Sequence, residues 1–205
     1  MKNDDRKESR LLDNLRRLVE YNNKRDGTVP RNYQPLEELE VARILVSWLG
    51  NHKGIILDNL THNSVDPPDC LACRDDNTIG IEITELVDNK TRHARIKLHE
   101  QVKDISVLSN VLLDTSLCHD QERFLDLLGK AIRKKDEKLS NCAQRMPVYL
   151  AVFSRDLWLD EETVSQFLHG ITFHVKNISG VFFQGDYYNG RYPIQELSIY
   201  RTGSA

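Results

Sequence analysis

An α/β fold with a mixed central sheet flanked by helices is predicted from the order of hydrophobic patterns along the chain. Three observations carry it. A strongly helical stretch over residues 36–50 precedes three short strand-like runs. An amphipathic helix over residues 121–142 follows them, and an apolar run over residues 147–155 then reads as a strand covered on both faces. A chain of 205 residues is long enough for one substantial core with some decoration. Its 40% hydrophobic and 29% charged content is that of an ordinary folded domain. The net charge of −3 excludes a globally basic nucleic-acid binder but leaves room for a local basic patch. No apolar run follows the charged N-terminus and none approaches membrane-spanning length, so a cytoplasmic location away from membranes is expected.

Leu11, Leu12, Leu15, Leu18 and Val19 recur at helical spacing among charges, which predicts an extra N-terminal helix ending near Asp26-Gly27. A linker with Pro30 and Pro35 follows, so residues 1–35 form an appendage to a domain over residues 36–205. In the helix over residues 36–50, Pro35 suits the first turn, Glu37, Glu38 and Glu40 favour the N-terminal dipole, and Gly50 suits the C-cap. Its apolar residues leave only a narrow polar stripe of Glu40, Arg43 and Ser47, so burial on most sides is expected. Residues 54–60 read as a strand containing Asp58, a weaker alternative ligand, and the loop after it delivers Asp66 and Asp69. Of four cysteines, Cys70 and Cys73 have half of a zinc spacing, but Cys118 and Cys142 supply no second half. Free thiols are the reading preferred here.

The segment from Asp66 to Leu86 reads as a hairpin. Ile79, Ile81 and Ile83 alternate with Gly80, Glu82 and Thr84, so a carboxylate sits on a strand among isoleucines. With Asp76-Asn77 as a two-residue turn, Leu71 lies opposite Glu82 and Asp69 opposite Thr84. Asp69, Glu82 and Thr84 then share one face. Two carboxylates repel one another but suit Mg²⁺, which takes one or two acids and completes its shell with water or phosphate oxygen. After the hairpin, Lys90, Arg92, His93, Arg95, Lys97, His99 and Lys103 form a basic segment, either a solvated helix face or a cradle for phosphates.

In the helix over residues 121–142, Phe124, Leu127, Leu128, Ala131, Ile132, Leu139 and Cys142 gather on one face with Lys135 in their midst and Lys138 at the edge. A buried ammonium needs a carboxylate partner, and the acids expected to face inward are Asp69 and Glu82. Snorkelling of Lys135 to water is the alternative. Beyond the buried strand, residues 160–168 read as a helix opened by acids. Residues 171–175, 180–184 and 195–200 read as strands, and a loop holding Tyr187, Tyr188 and Tyr192 offers either base stacking or anchoring.

Pro68-Asp69, twelve residues, then Glu82-x-Thr84 resembles the signature of the PD-(D/E)XK nuclease superfamily, with Thr84 in place of the motif lysine. The order helix, three strands, helix, strand is similar to the restriction-endonuclease-like αβββαβ core. The resemblance implies that residues 36–205 are a nuclease domain hydrolysing phosphodiester bonds, of DNA more readily than RNA. It further implies that Asp69, Glu82 and the Ile83 carbonyl hold Mg²⁺ or Mn²⁺. Relocation of the lysine to the later helix, a variation of the superfamily, gives the cationic role to Lys135, with Lys138 second and Thr84 as hydrogen-bond donor. Glu40 on the first helix is a further candidate for the site or else part of a solvated stripe. A homodimer is the form in which such nucleases often cut both strands. The alternative is a catalytically degenerate nucleic-acid-binding or assembly protein on the same fold.

Overall fold

The computed structural model describes residues 34–65, 67–87, 120–156, 159–186 and 191–202. All of these but Gln34 belong to one compact unit drawn from Pro35–Asp88 and Ser116–Ala205. The N-terminal helix, the basic segment over residues 90–103, Asp66, Cys118 and the pair Tyr187 and Tyr188 lie outside the described residues.

The first helix, α1, spans Gln34–Lys53 and is followed by the strands β1 (Asp58–His62), β2 (Cys70–Arg74) and β3 (Asn77–Glu85). Next come α2 (Gln121–Lys138), a short α3 (Ser140–Ala143) and β4 (Val148–Phe153). The chain ends with α4 (Glu161–Leu168), β5 (Phe173–Val175), β6 (Gly180–Gln184), β7 (Ile194–Glu196) and β8 (Ile199–Arg201). Six strands form one mixed sheet in the order β1-β2-β3-β4-β6-β7, and β5 and β8 form a separate parallel ribbon. The first three strands run antiparallel, β3, β4 and β6 are parallel, and β7 closes the edge antiparallel to β6. This is the mixed α/β sheet with flanking helices that the hydrophobic patterns predict. Among the described residues, no helix is long and apolar enough to cross a membrane.

Strand alternation divides the core into two layers. Ile79, Ile81 and Ile83 of β3, with Ala151 and Phe182 from the neighbouring strands, pack with Val41, Ala42, Leu45 and Leu49 of α1. On the other face Val148, Leu150, Val152, Val181 and Phe183 pack with Phe124, Leu128 and Ile132 of α2. Gly80, Glu82 and Thr84 therefore point to the α2 side of the sheet. Helix α1 buries one face rather than most sides: Leu39, Val46 and Trp48 are only partly covered, and Leu36 is 63% exposed. A single sheet face can cover only one side of a helix, which is why the all-round apolar pattern overstates its burial.

The hairpin register differs from the expected one by two residues. Arg74 pairs with Asn77, so the turn is Asp75-Asp76, and both residues have positive φ, 47° and 65°. Two positive φ values define the hairpin turn whose twist suits a strand pair, and aspartate tolerates them nearly as well as asparagine. Asn77 instead begins β3, and its side-chain amide donates to the Asp75 carbonyl. Leu71 thus faces Gly80 and Cys70 faces Ile81, which carries Asp69 opposite Glu82 rather than Thr84. A slip of two residues restores the same face for every side chain, whereas a slip of one would have inverted them.

Three other boundaries shift. Gly54, at φ 64°, ends α1 and the first strand starts only at Asp58. The long lysine helix closes at Leu139, after which α3 restarts. The single strand expected over residues 195–200 divides into β7 and β8 in different sheets. Leu197 is buried at the break, donating its N–H to Val181, while Ser198 accepts from Phe173.

Asp136 of α2, a residue that hydrophobic periodicity does not single out, is buried and accepts backbone N–H groups of Lys176, Asn177 and Ile178 at 2.9, 2.8 and 3.1 Å. Replacing Asp136 by Ala orphans three donors. We expect a loss of about 3 kcal/mol, read as a lower urea midpoint with an unchanged slope.

Candidate active site

Four elements meet at the end of the β2–β3 hairpin. Glu82, in the middle of β3 with Ile81 and Ile83 turned away from it, is fully buried. Its Oε1 accepts from Lys135 Nζ at 2.5 Å and from Lys138 Nζ at 3.2 Å, the two lysines lying one turn apart on α2. Lys135 is 18% and Lys138 37% exposed, so the inner lysine is the desolvated partner. Glu82 Oε2 is buried with no hydrogen-bond partner.

Asp69 stands just before β2. Asn63 braces its loop: the Asn63 N–H donates to the Asp69 carbonyl and its side-chain amide donates to the carbonyls of Val65 and Pro68. Pro68 lies over Gly80, where an added Cβ would meet the Pro68 ring at 2.8 Å, so only glycine lets the loop come this close to β3. The Asp69 carboxylate then accepts the Ile83 N–H through Oδ2 at 2.6 Å. Strand geometry directs the Ile83 carbonyl to the same side as its N–H, past the end of β2.

Burial pushes the Asp69 carboxyl up to about 6, and the nearby charges of Glu82 and, less, Glu38 push the same way. The Ile83 N–H and Lys135 oppose this without cancelling it. Cys70, buried on the α1 side, has its thiol pushed up to about 12 by burial and then by Asp69, Glu38 and Glu82. It stays protonated at neutral pH. Cys73, three residues on, is half-buried on the opposite face. Cys142 donates its thiol to the Pro67 carbonyl at 3.1 Å, tying α3 to the loop that precedes Asp69.

Of the residues singled out from the sequence, Asp69, Glu82, Ile83, Lys135 and Lys138 are brought together. Thr84 is half-buried two residues beyond Glu82 on the same strand face. Glu40 is not brought to them: it is exposed and pairs with Arg43 at 3.5 Å. Glu38 takes the place on α1 expected of it. Its field reaches Asp69 and Cys70, and its Oε2 lies 3.2 Å from His62 Nε2. Two residues along a helix is about 200°, so one of the pair must face away when the other faces the sheet. Only the handedness of α1 packing separates them, and periodicity alone does not supply it. Asp58, the weaker alternative ligand, is exposed.

The donor set has a defined chemical capacity. Once Ile83 N–H and Lys135 are served, each acid keeps one oxygen for another cation, and that of Glu82 is already desolvated. Among the described residues, no group of three or more His, Cys, Asp and Glu side chains gathers to cage a metal. Two carboxylates beside a backbone carbonyl are the donors that a hydrated hard cation takes. Comparison with protein-family models, with curated proteins and with solved structures returns no match to this chain.

The Asp69 carboxyl has a sign that can be tested. A carboxyl raised in the folded state binds its proton more tightly there, so stability falls as pH rises from about 4 through about 6. Asp69→Asn keeps an acceptor for the Ile83 N–H and removes the repelled charge. In metal-free buffer at pH 7.5 it is expected to stabilise the fold by roughly 2–3 kcal/mol and to flatten this pH dependence, as measured by urea unfolding across the range.

Proposed function

We propose that the chain is a metal-dependent nuclease that hydrolyses phosphodiester bonds of nucleic acid, DNA more readily than RNA, on a restriction-endonuclease-like core. The observation that carries the reading is Glu82: wholly buried, held at one oxygen by Lys135, unpartnered at the other, and opposite a second carboxylate whose charge is unfavourable as it stands. A structural ion pair has no use for that second acid. The element order α1-β1-β2-β3-α2-β4 supports the core assignment.

In this reading Asp69 Oδ1, Glu82 Oε2 and the Ile83 carbonyl hold Mg²⁺ or Mn²⁺. A divalent ion at such a site supplies charge neutralisation for the phosphate and lowers the pKa of bound water. Lys135 fills the role of the missing strand lysine. Its ammonium is fixed by Glu82 and its burial keeps it from being screened, so it can orient the attacking water or balance charge developing on the phosphate. Lys138, more exposed, is the second cation. Thr84 donates a hydrogen bond but brings no charge.

A second reading is favoured by one feature. Two lysines already neutralise Glu82, as they would in a degenerate domain that binds nucleic acid or assembles with it and no longer cuts. The two readings separate in a cleavage assay with a fluorophore-quencher DNA and Mn²⁺. A nuclease loses all cleavage in Asp69→Ala and Glu82→Ala, the folding of each being checked by circular dichroism, and also in Glu82→Gln, which keeps the side chain's shape and an acceptor for Lys135. Lys135→Ala is expected to lower the rate by about 100- to 1,000-fold. Mn²⁺ should also raise the melting temperature of the wild type and leave that of Asp69→Asn unchanged. Cleavage undiminished in Glu82→Ala overturns the assignment, and metal-free DNA binding without cleavage under any divalent ion selects the degenerate domain.

A further inference from the structure

Helix α2 carries a row of charge that begins at the candidate active site and leaves it along the helix surface. Lys138, Lys134 and Lys130 stand four residues apart. Each step of four is about 6 Å along the axis and about 40° round it, so the row covers about 12 Å and winds slowly. It starts at Lys138, whose Nζ lies 3.2 Å from Glu82 Oε1. From there it turns toward solvent, the side-chain exposure rising from 37% at Lys138 to 63% at Lys130. Lys134, between them, is exposed. Lys138 reaches β3 and Asp136 reaches the chain ahead of β6, which sets the row on the hairpin side of α2.

No acid interrupts the row. From the direction of Lys138 round to that of Lys130, the helix presents Leu127, Lys134 and Arg123. Asp126 and Glu137 lie beyond Lys130, on the solvent side, and Asp126 is taken by Lys130 at 2.6 Å. Among the described residues Lys134 has no carboxylate partner, Glu137 three residues on included. On the face of the sheet that carries Glu82, β2 presents Leu71 and Cys73, both half-buried, and adds no acid. Like charges one turn apart repel one another. The helix dipole favours cations in the last turn, residues 135–138, and so accounts for neither Lys134 nor Lys130. A polyanion with regularly spaced charge relieves the repulsion along the whole row, where a single small anion meets one lysine or two.

We propose that the phosphate backbone of the substrate strand lies along this flank of α2, with the scissile phosphate at Glu82 and Lys138 and the next phosphates at Lys134 and Lys130. The proposal rests on the nuclease reading of the active site for the class of partner. It adds the direction in which the strand leaves the site and the residues that hold it there. It also makes the site one for strands that continue past the cut on that side, and a poor one for dinucleotides.

Fluorescence anisotropy of the full chain with a labelled DNA duplex and with its single strand, both in EDTA over a range of salt, tests the row without cleavage. Lys134→Ala is expected to weaken binding and to flatten its log–log salt dependence by about 0.7 to 0.9. Lys134→Glu should weaken binding further. Lys176→Ala removes the same charge from an exposed position on the far side of α2, where Asp136 accepts the Lys176 N–H at 2.9 Å. It should leave the slope unchanged. An unchanged slope in Lys134→Ala, an equal fall in Lys176→Ala, no binding of either DNA, or binding of polyglutamate in preference to DNA would overturn the proposal. The result is separable from the nuclease reading. Lys134-dependent binding with no cleavage under any divalent ion leaves the row standing and removes the nuclease, whereas Glu82-dependent cleavage with Lys134-independent binding does the reverse.

Discussion

The contact between Lys135 and Glu82 is the constraint on which the rest of this unit depends. It joins the central strand to the helix packed over it, and it does so with two charges removed from water. Such a pair gains little net stability over apolar residues of the same shape, because desolvation offsets most of the attraction. Breaking it is another matter. Either partner left alone would be a buried charge, so the pair fixes where α2 lies along β3 more sharply than apolar packing does. That the arrangement persists beside an orphaned carboxylate oxygen and a second acid suggests that local stability is not what it serves.

Asp69 shows the same preference for geometry over stability. Three separate features bring it to Glu82: the Asn63 hydrogen bonds, the absence of a side chain at Gly80 beneath Pro68, and the Ile83 N–H. All three hold it where burial, and after it the charge of Glu82, raises its carboxyl. Strain of this kind, held by several independent contacts, is what a preorganised cation site requires.

The parts of this arrangement that were legible in the sequence are those that depend on period. The alternation of Ile79, Ile81 and Ile83 settles which face Glu82 takes, and the helical repeat around Phe124, Leu128 and Ile132 settles that Lys135 points inward. Both survive local error: the turn sits at Asp75-Asp76 and not at Asp76-Asn77, yet a slip of two residues leaves the acids on one face. What period does not contain is handedness of packing and the partners of polar atoms. Glu38 and Glu40 are equivalent to a count of charges on α1, and only docking on the sheet directs Glu38 toward Asp69. Asp136 reads as one more acid on a charged helix until the loop before β6 comes to it. The division at Leu197 is also invisible to alternation, because both halves keep strand character and only their partners differ.

On the nuclease reading proposed above, Asp136 accounts for how a helix would supply the cation that the strand does not. A lysine at the position of Thr84 would be held by the sheet itself, since strand residues are set by a ladder on either side. A lysine on α2 is only as well placed as the helix, and a helix on an apolar face can roll or slide. Here consecutive residues are anchored in different directions. Lys135 is held to β3, and Asp136, about 100° further round the helix, is held to three backbone N–H groups ahead of β6. Two fixed points at that angle leave the helix neither rotation nor translation. The backbone of Lys135 is thereby braced against both roll and slide, and the same anchor seats the β5–β8 ribbon on the helix that carries it.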